Sequence, residues 1–201
     1  MACLMLLMLP LSADEAIPFV EKPASRALIA SLRTGGYVLY LRHGQTDSSI
    51  PDQVPINLDD CSTQRPLTDI GRTQMRQIGV AIRKAGIPLG QIFVSPMCRA
   101  QESARLAFGP NYQVDINLMY TAHLTSAQKV PIIARTRELL STPVTEPGKN
   151  RVILAHAPNL ADLMDYYPET EGTMAIFRPL GDAGFEYLAS ILPQQWQGLT
   201  D

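Results

Sequence analysis

The stretch YVLYLRHGQTDSS, residues 37–49, decides the fold. Tyr37 to Leu41 is an unbroken apolar run of strand-forming residues, the length of a strand buried on both faces. Arg42 and His43 follow at once, and neither belongs inside a sheet. Open parallel sheets bind ligands at the carboxyl ends of their strands. A strand that ends on a guanidinium and an imidazole is therefore read as one edge of a site.

Two more apolar runs repeat the design. QIFVS (91–95) ends on a serine and is followed within a few residues by Arg99, and RVILA (151–155) ends at His156. Helical patterns lie between the strands. Thr68 is the N-cap of a helix with an apolar stripe at Ile70, Ile78, Ala81, Ile82 and Ala85, and Gly86 stops it. CRAQESARLAF and SAQKVPIIARTRELLS continue the alternation, with Pro131 as an early kink or start, and NLADLMDYY is a short helix. RALIASL precedes the first strand and stops at Gly35-Gly36, while the Asp-, Pro- and Ser-rich residues 47–66 form a long loop. MAIFRPL and FEYLASIL flank GDAG and form a hairpin. Strands alternating with helices predict an α/β chain, a three-layer α/β/α sandwich with a mostly parallel sheet and an antiparallel edge.

The 201 residues suit one domain, and 46% apolar with 18% charged residues can build a core. A net charge of −2 argues against nucleic acid or an anionic membrane as partner. Residues 1–13 are uncharged, and Ala2–Leu9 is too short to span a bilayer. They read as a secretory signal peptide, with 14–36 as an N-terminal tether and helix and 37–201 as the functional domain. The expected location is periplasmic or secreted, with no stable membrane span after processing, or cytoplasmic if 1–13 is no signal. Export leaves Cys61 and Cys98, which permits one disulfide, the alternative being two buried thiols. No cysteine or histidine spacing suits a metal, so neither metal nor cofactor is expected.

Arg42, Arg99, His43 and His156 thus meet at one sheet edge from more than a hundred residues apart. Guanidinium forks match phosphate oxygens bidentately. A neutral imidazole is a good nucleophile near neutral pH, and positive charge stabilises a phosphoryl transition state.

Four segments bear a family resemblance. LRHGQT (41–46), RPLTDIGRTQ (65–74), SPMCRAQESA (95–104) and VILAHAPNL (152–160) resemble, in order, the motifs of the histidine phosphatase superfamily, which includes phosphoglycerate mutases. The tail AIFRPLGDAGFEYLASILP is similar to the closing hairpin of exported bacterial members. The resemblance implies a phosphoglycerate mutase-like fold. It implies His43 as nucleophile, Arg42 and Arg99 on the phosphoryl group, His156 completing the pocket, Thr46 as a supporting hydroxyl and Gly44 letting the backbone approach the ligand. The implied activity is a metal-independent phosphomonoesterase for small-molecule phosphate esters, sugar phosphates among them, acting through phosphohistidine. The alternatives are a non-catalytic phosphate-ester binding module on the same fold and a mutase-type phosphotransferase.

The general acid departs from the family pattern. One branch carries a glutamate after the Ser-Pro-x-x-Arg helix, where residues 109–124 here offer Asp115 and His123. The other carries an aspartate after the second histidine, where this chain has Ala157. Glu171 is the first candidate acid and His123 the second. Without a strong acid, good substrates carry leaving groups that need little protonation. The sequence leaves the oligomeric state open.

Overall fold

The computed structural model describes residues 19–200. The first strand, β1 (Val38–Arg42), is buried along its whole length. It lies inside a six-stranded sheet with β2 (Leu89–Val94), β3 (Gln113–Val114), β4 (Asn150–Ala155), β5 (Met174–Pro179) and β6 (Phe185–Ile191), in the order β3-β2-β4-β1-β5-β6. β3, β2, β4 and β1 run parallel, while β5 and β6 close the far edge antiparallel. β3 has no counterpart in the sequence pattern: its two exposed residues are too few to show a period.

Alternation along β1 feeds two cores. Leu39 and Leu41 join Val152, Leu154, Ile92 and Val94 under α1 (Arg26–Leu32), α2 (Asp69–Lys84), α3 (Cys98–Phe108) and α6 (Trp196–Thr200). Val38 and Tyr40 join Ile153, Ala155 and Phe177 under α4 (Ser126–Ser141) and α5 (Ala157–Met164). This is the three-layer sandwich expected. Each fully buried large apolar side chain contributes roughly 1.5–3 kcal/mol, so β1 is anchored from both faces.

Thr68 caps α2 by accepting from the Gly71 amide. Met75, Ile78, Ala81 and Ile82 make its buried face, but Ile70, read as part of that stripe, is 69% exposed. Ile70 sits in the first turn, beyond the sheet edge, and borders the cleft described below.

The described part of the tether is pinned. The Ser190 amide donates to Lys22 O at 2.7 Å, the Ala24 amide donates to Ser190 O at 3.0 Å, and Phe19 stacks on Tyr166. The proposed signal and Cys3 lie outside the described residues. Cys61 and Cys98 form a disulfide, joining the 47–66 loop to the first residue of α3. No described helix is long and apolar enough to cross a membrane.

Candidate active site

Three parallel strands deliver the polar residues to one edge. β1 ends at Arg42 with His43 next, β2 is followed by Ser95 and the start of α3, and β4 by His156, the N-cap of α5. The His43 and His156 rings meet edge to face, with centroids 5.2 Å apart. Both are buried, as are Arg42 and Arg99.

One hydrogen bond fixes the His43 tautomer. His43 Nδ1 is 2.9 Å from the Gly44 carbonyl, which can only accept, so Nδ1 carries the proton and Nε2 a lone pair. Ser95 Oγ accepts from the Met97 amide and lies 2.7 Å from His156 Nε2. His156 Nδ1 is buried with no partner among the described residues. Tyr40 Oη donates to His156 O and accepts from His156 N, locking the turn into α5. Burial, then the Arg99 charge, holds both imidazoles well below the usual histidine range. Both are therefore neutral.

Two guanidiniums face this pair. Arg42 Nη1 donates to the carbonyls of Pro168 and Glu169, each at 2.7 Å, and Nη2 lies 3.4 Å from Glu171 Oε1. Arg99 Nη1 donates to Asp52 Oδ1 at 2.8 Å. Arg42 Nε, Arg99 Nε and Arg99 Nη2 are buried without a partner among the described residues. Tyr120 is a hub beside them: the Arg99 guanidinium lies 5.0 Å from its ring centroid, and His156 and His123 each pack edge-on at 5.3 Å.

An open cleft of about 520 Å³ adjoins the pair, lined by Arg42, Thr46, Arg65, Gln74, Glu169 and Glu171 among others. Arg65 is a third guanidinium there. Its Nε is buried and unpartnered, and its charge reaches both histidines. Arg65 stood inside a quoted motif, yet nothing in that motif says which way its side chain faces. Asp52 and Tyr120 were likewise missed; Asp52 lies in a loop without periodicity.

Two expected phosphate ligands are otherwise engaged. The Gly44 amide donates to Ser103 Oγ at 3.1 Å. Gly44 is required because α2 approaches it: a Cβ there would lie 2.8 Å from Gly71 O. Thr46 donates its amide and hydroxyl to the two oxygens of Glu171, at 2.9 and 2.6 Å. Glu171 does stand at the site, 3.8 Å from His43 Nδ1. His123 is exposed on the rim, one ring removed from His156. Asp115 is occupied by Arg135.

Residues 38–119 match the family model of the histidine phosphatase superfamily, branch 1. The matched region holds Arg42, His43, Arg65 and Arg99 and stops short of His156.

Solved structures share this fold. The protein histidine phosphatase SixA complexed with tungstate is 18% identical, with TM-score 0.52, covering 79% of this chain and 98% of that one. A mycobacterial glucosyl-3-phosphoglycerate phosphatase with inorganic phosphate is 19% identical, with TM-score 0.55, covering 80% and 99%. The product of the Rv3214 reading frame of Mycobacterium tuberculosis is 16% identical, with TM-score 0.56, covering 78% and 97%. No curated protein matches the chain by sequence.

Proposed function

We propose that this chain hydrolyses phosphate monoesters through a phosphohistidine at His43. One observation carries the reading: the His43 Nδ1 proton is committed to the Gly44 carbonyl, which leaves a bare Nε2 lone pair beside two arginines with unpartnered donors. Nε2 attacks phosphorus, the P–O ester bond breaks, and its electron pair leaves on the alkoxide or phenoxide oxygen. The Arg42 and Arg99 donors, and His156 in its Nδ1–H tautomer, meet the charge on the phosphoryl oxygens, with Arg65 adding to the field. Water then attacks phosphorus, the P–N bond breaks, and inorganic phosphate leaves with His43 neutral again.

Glu171 is the acidic side chain nearest this chemistry, but its contacts are with donors, the Thr46 amide and hydroxyl and the Arg42 guanidinium. They suit an acceptor that braces the pocket more than a carboxyl that delivers a proton. His123 reaches the pair only through Tyr120. With no dedicated acid, the favoured substrates are aryl phosphates, phosphohistidine and anhydrides, whose leaving groups need little protonation. The Cys61–Cys98 bond and the apolar, uncharged residues 1–13 support work in an oxidising compartment outside the cytoplasm.

The test is turnover of p-nitrophenyl phosphate. The expected result is activity that survives EDTA, vanishes in His43→Ala, and leaves an acid-labile phosphoryl group on the trapped wild type. Full activity in His43→Ala would sink the mechanism. Tight phosphate binding without turnover would instead favour the binding module.

A further inference from the structure

Asp52 is prominent because it comes from far away. It sits in the 47–66 loop, yet its side chain is 3% exposed and its Oδ1 accepts from Arg99 Nη1 at 2.8 Å and from the Arg65 amide at 2.9 Å. Among the described residues the Arg99 guanidinium makes no other hydrogen bond. The Nε and Nη2 of a guanidinium form the side edge that matches two phosphate oxygens. In Arg99 these two nitrogens are the unpartnered ones. The carboxylate takes the one nitrogen that such a docking leaves over.

The loop is fastened where this contact needs it. Cys61 is bonded to Cys98, the residue before Arg99, and Gln64 Oε1 accepts from the Cys98 amide at 2.9 Å. Gln64 is itself buried and ties back through Nε2 to Asn57 O. Two links on Cys98 and one on Arg99 thus join the loop to the first turn of α3.

We infer that Asp52 is a positioning residue: held by the strapped loop, it fixes the rotation of Arg99 so that the Nε–Nη2 edge faces the phosphoryl group. The inference rests on the phosphatase reading above, in which Arg99 binds phosphate. Burial lowers the pKa of Arg99, and the Asp52 charge opposes that shift, consistent with the geometry.

The experiment compares wild type, Asp52→Asn, Asp52→Ala and, as a loop control, the exposed Asp59→Asn. The readouts are kcat and KM for p-nitrophenyl phosphate and Ki for inorganic phosphate, with near-UV circular dichroism to certify folding. The Asp52 variants should lose roughly 10- to 100-fold in kcat/KM, with Ki for phosphate rising in step, while Asp59→Asn stays at wild type. In an Arg99→Lys background, which has no fork to orient, Asp52→Asn should change little more. Wild-type kinetics in Asp52→Asn, a gain of activity, or the same loss in the Arg99→Lys background would each overturn the inference and leave the phosphatase reading standing. A wild type that neither turns over nor binds phosphate removes that reading and the inference together. Should both Asp52 variants fail to fold, reduction of Cys61–Cys98 in folded wild type carries the test. Ki for phosphate should rise on reduction, and an unchanged Ki overturns the inference.

Discussion

Arg42 and Arg99 each keep a buried, unpartnered Nε, and the charges of both act on the histidine pair, but they are held by different means. Arg42 ends a central strand and donates to two backbone carbonyls, with Glu171 as an ion-pair partner. Backbone acceptors cannot be removed by substitution, and the Arg42 amide itself bonds to Thr173 O. Arg99 stands in the first turn of α3 and relies on one carboxylate from a loop tied down by a disulfide. One side of the pocket is part of the sheet edge, and the other is assembled by side chains. The charges they supply are equivalent, so they should contribute alike to binding and differ in how easily their orientation is lost.

The largest effect tests the equivalence. Arg42→Ala and Arg99→Ala should each lower kcat/KM for p-nitrophenyl phosphate by about 100- to 1,000-fold, the usual cost of deleting a donor from a developing anion. A tenfold or greater gap between the two would show that one guanidinium only frames the site.

The next effect concerns the histidines between them. For both rings burial is the first cause of the lowered pKa, and Arg99 outweighs Arg42 among the charges. Unfolded histidines take up protons below pH about 6.5, while these folded ones resist. Their contribution to stability is therefore complete above that pH and declines as pH falls towards their folded pKa values. The expected slope in urea unfolding is about 1.4 kcal/mol per pH unit for each proton withheld. Asn at both positions should flatten this limb, and Arg99→Ala should flatten it more than Arg42→Ala. A wild type equally stable from pH 7.5 to 5 contradicts the neutral, buried pair.

The same division separates what could be read in the sequence from what could not. Arg42, His43, Arg99 and His156 each lie at a strand end or within a few residues past one, so local pattern and sheet direction suffice to bring them together. Burial of both faces of β1 is equally legible, since its first four residues carry no charge and only its last, Arg42, does. Asp52 is not legible: it reaches Arg99 through a loop crosslinked across 37 residues, and no periodicity records such a closure. Arg65 and Ile70 lie on either side of the α2 N-cap, where helical spacing no longer dictates which way a side chain points. Gly44 and Thr46 follow the end of β1, but their donors go to Ser103 and Glu171, partners that are distant in sequence.

Glu171→Gln gives the smallest effect and the sharpest form of the comparison. Glu171 is the Arg42-side counterpart of Asp52, but it only pairs in charge at 3.4 Å with a guanidinium that two backbone carbonyls already hold. A glutamine keeps one acceptor oxygen for Thr46 and leaves both backbone carbonyls on Arg42 Nη1. The loss in kcat/KM should therefore stay near the net value of one hydrogen bond, about two- to tenfold, below that of Asp52→Asn. It should also be the same for an aryl and an alkyl phosphate, because a bracing carboxylate acts before the leaving group departs. A proton donor behaves differently: its loss would spare p-nitrophenyl phosphate and disable the alkyl ester. That split between two substrates would return Glu171 to the role of general acid, and would make the Arg42 side the one that carries the proton as well as the frame.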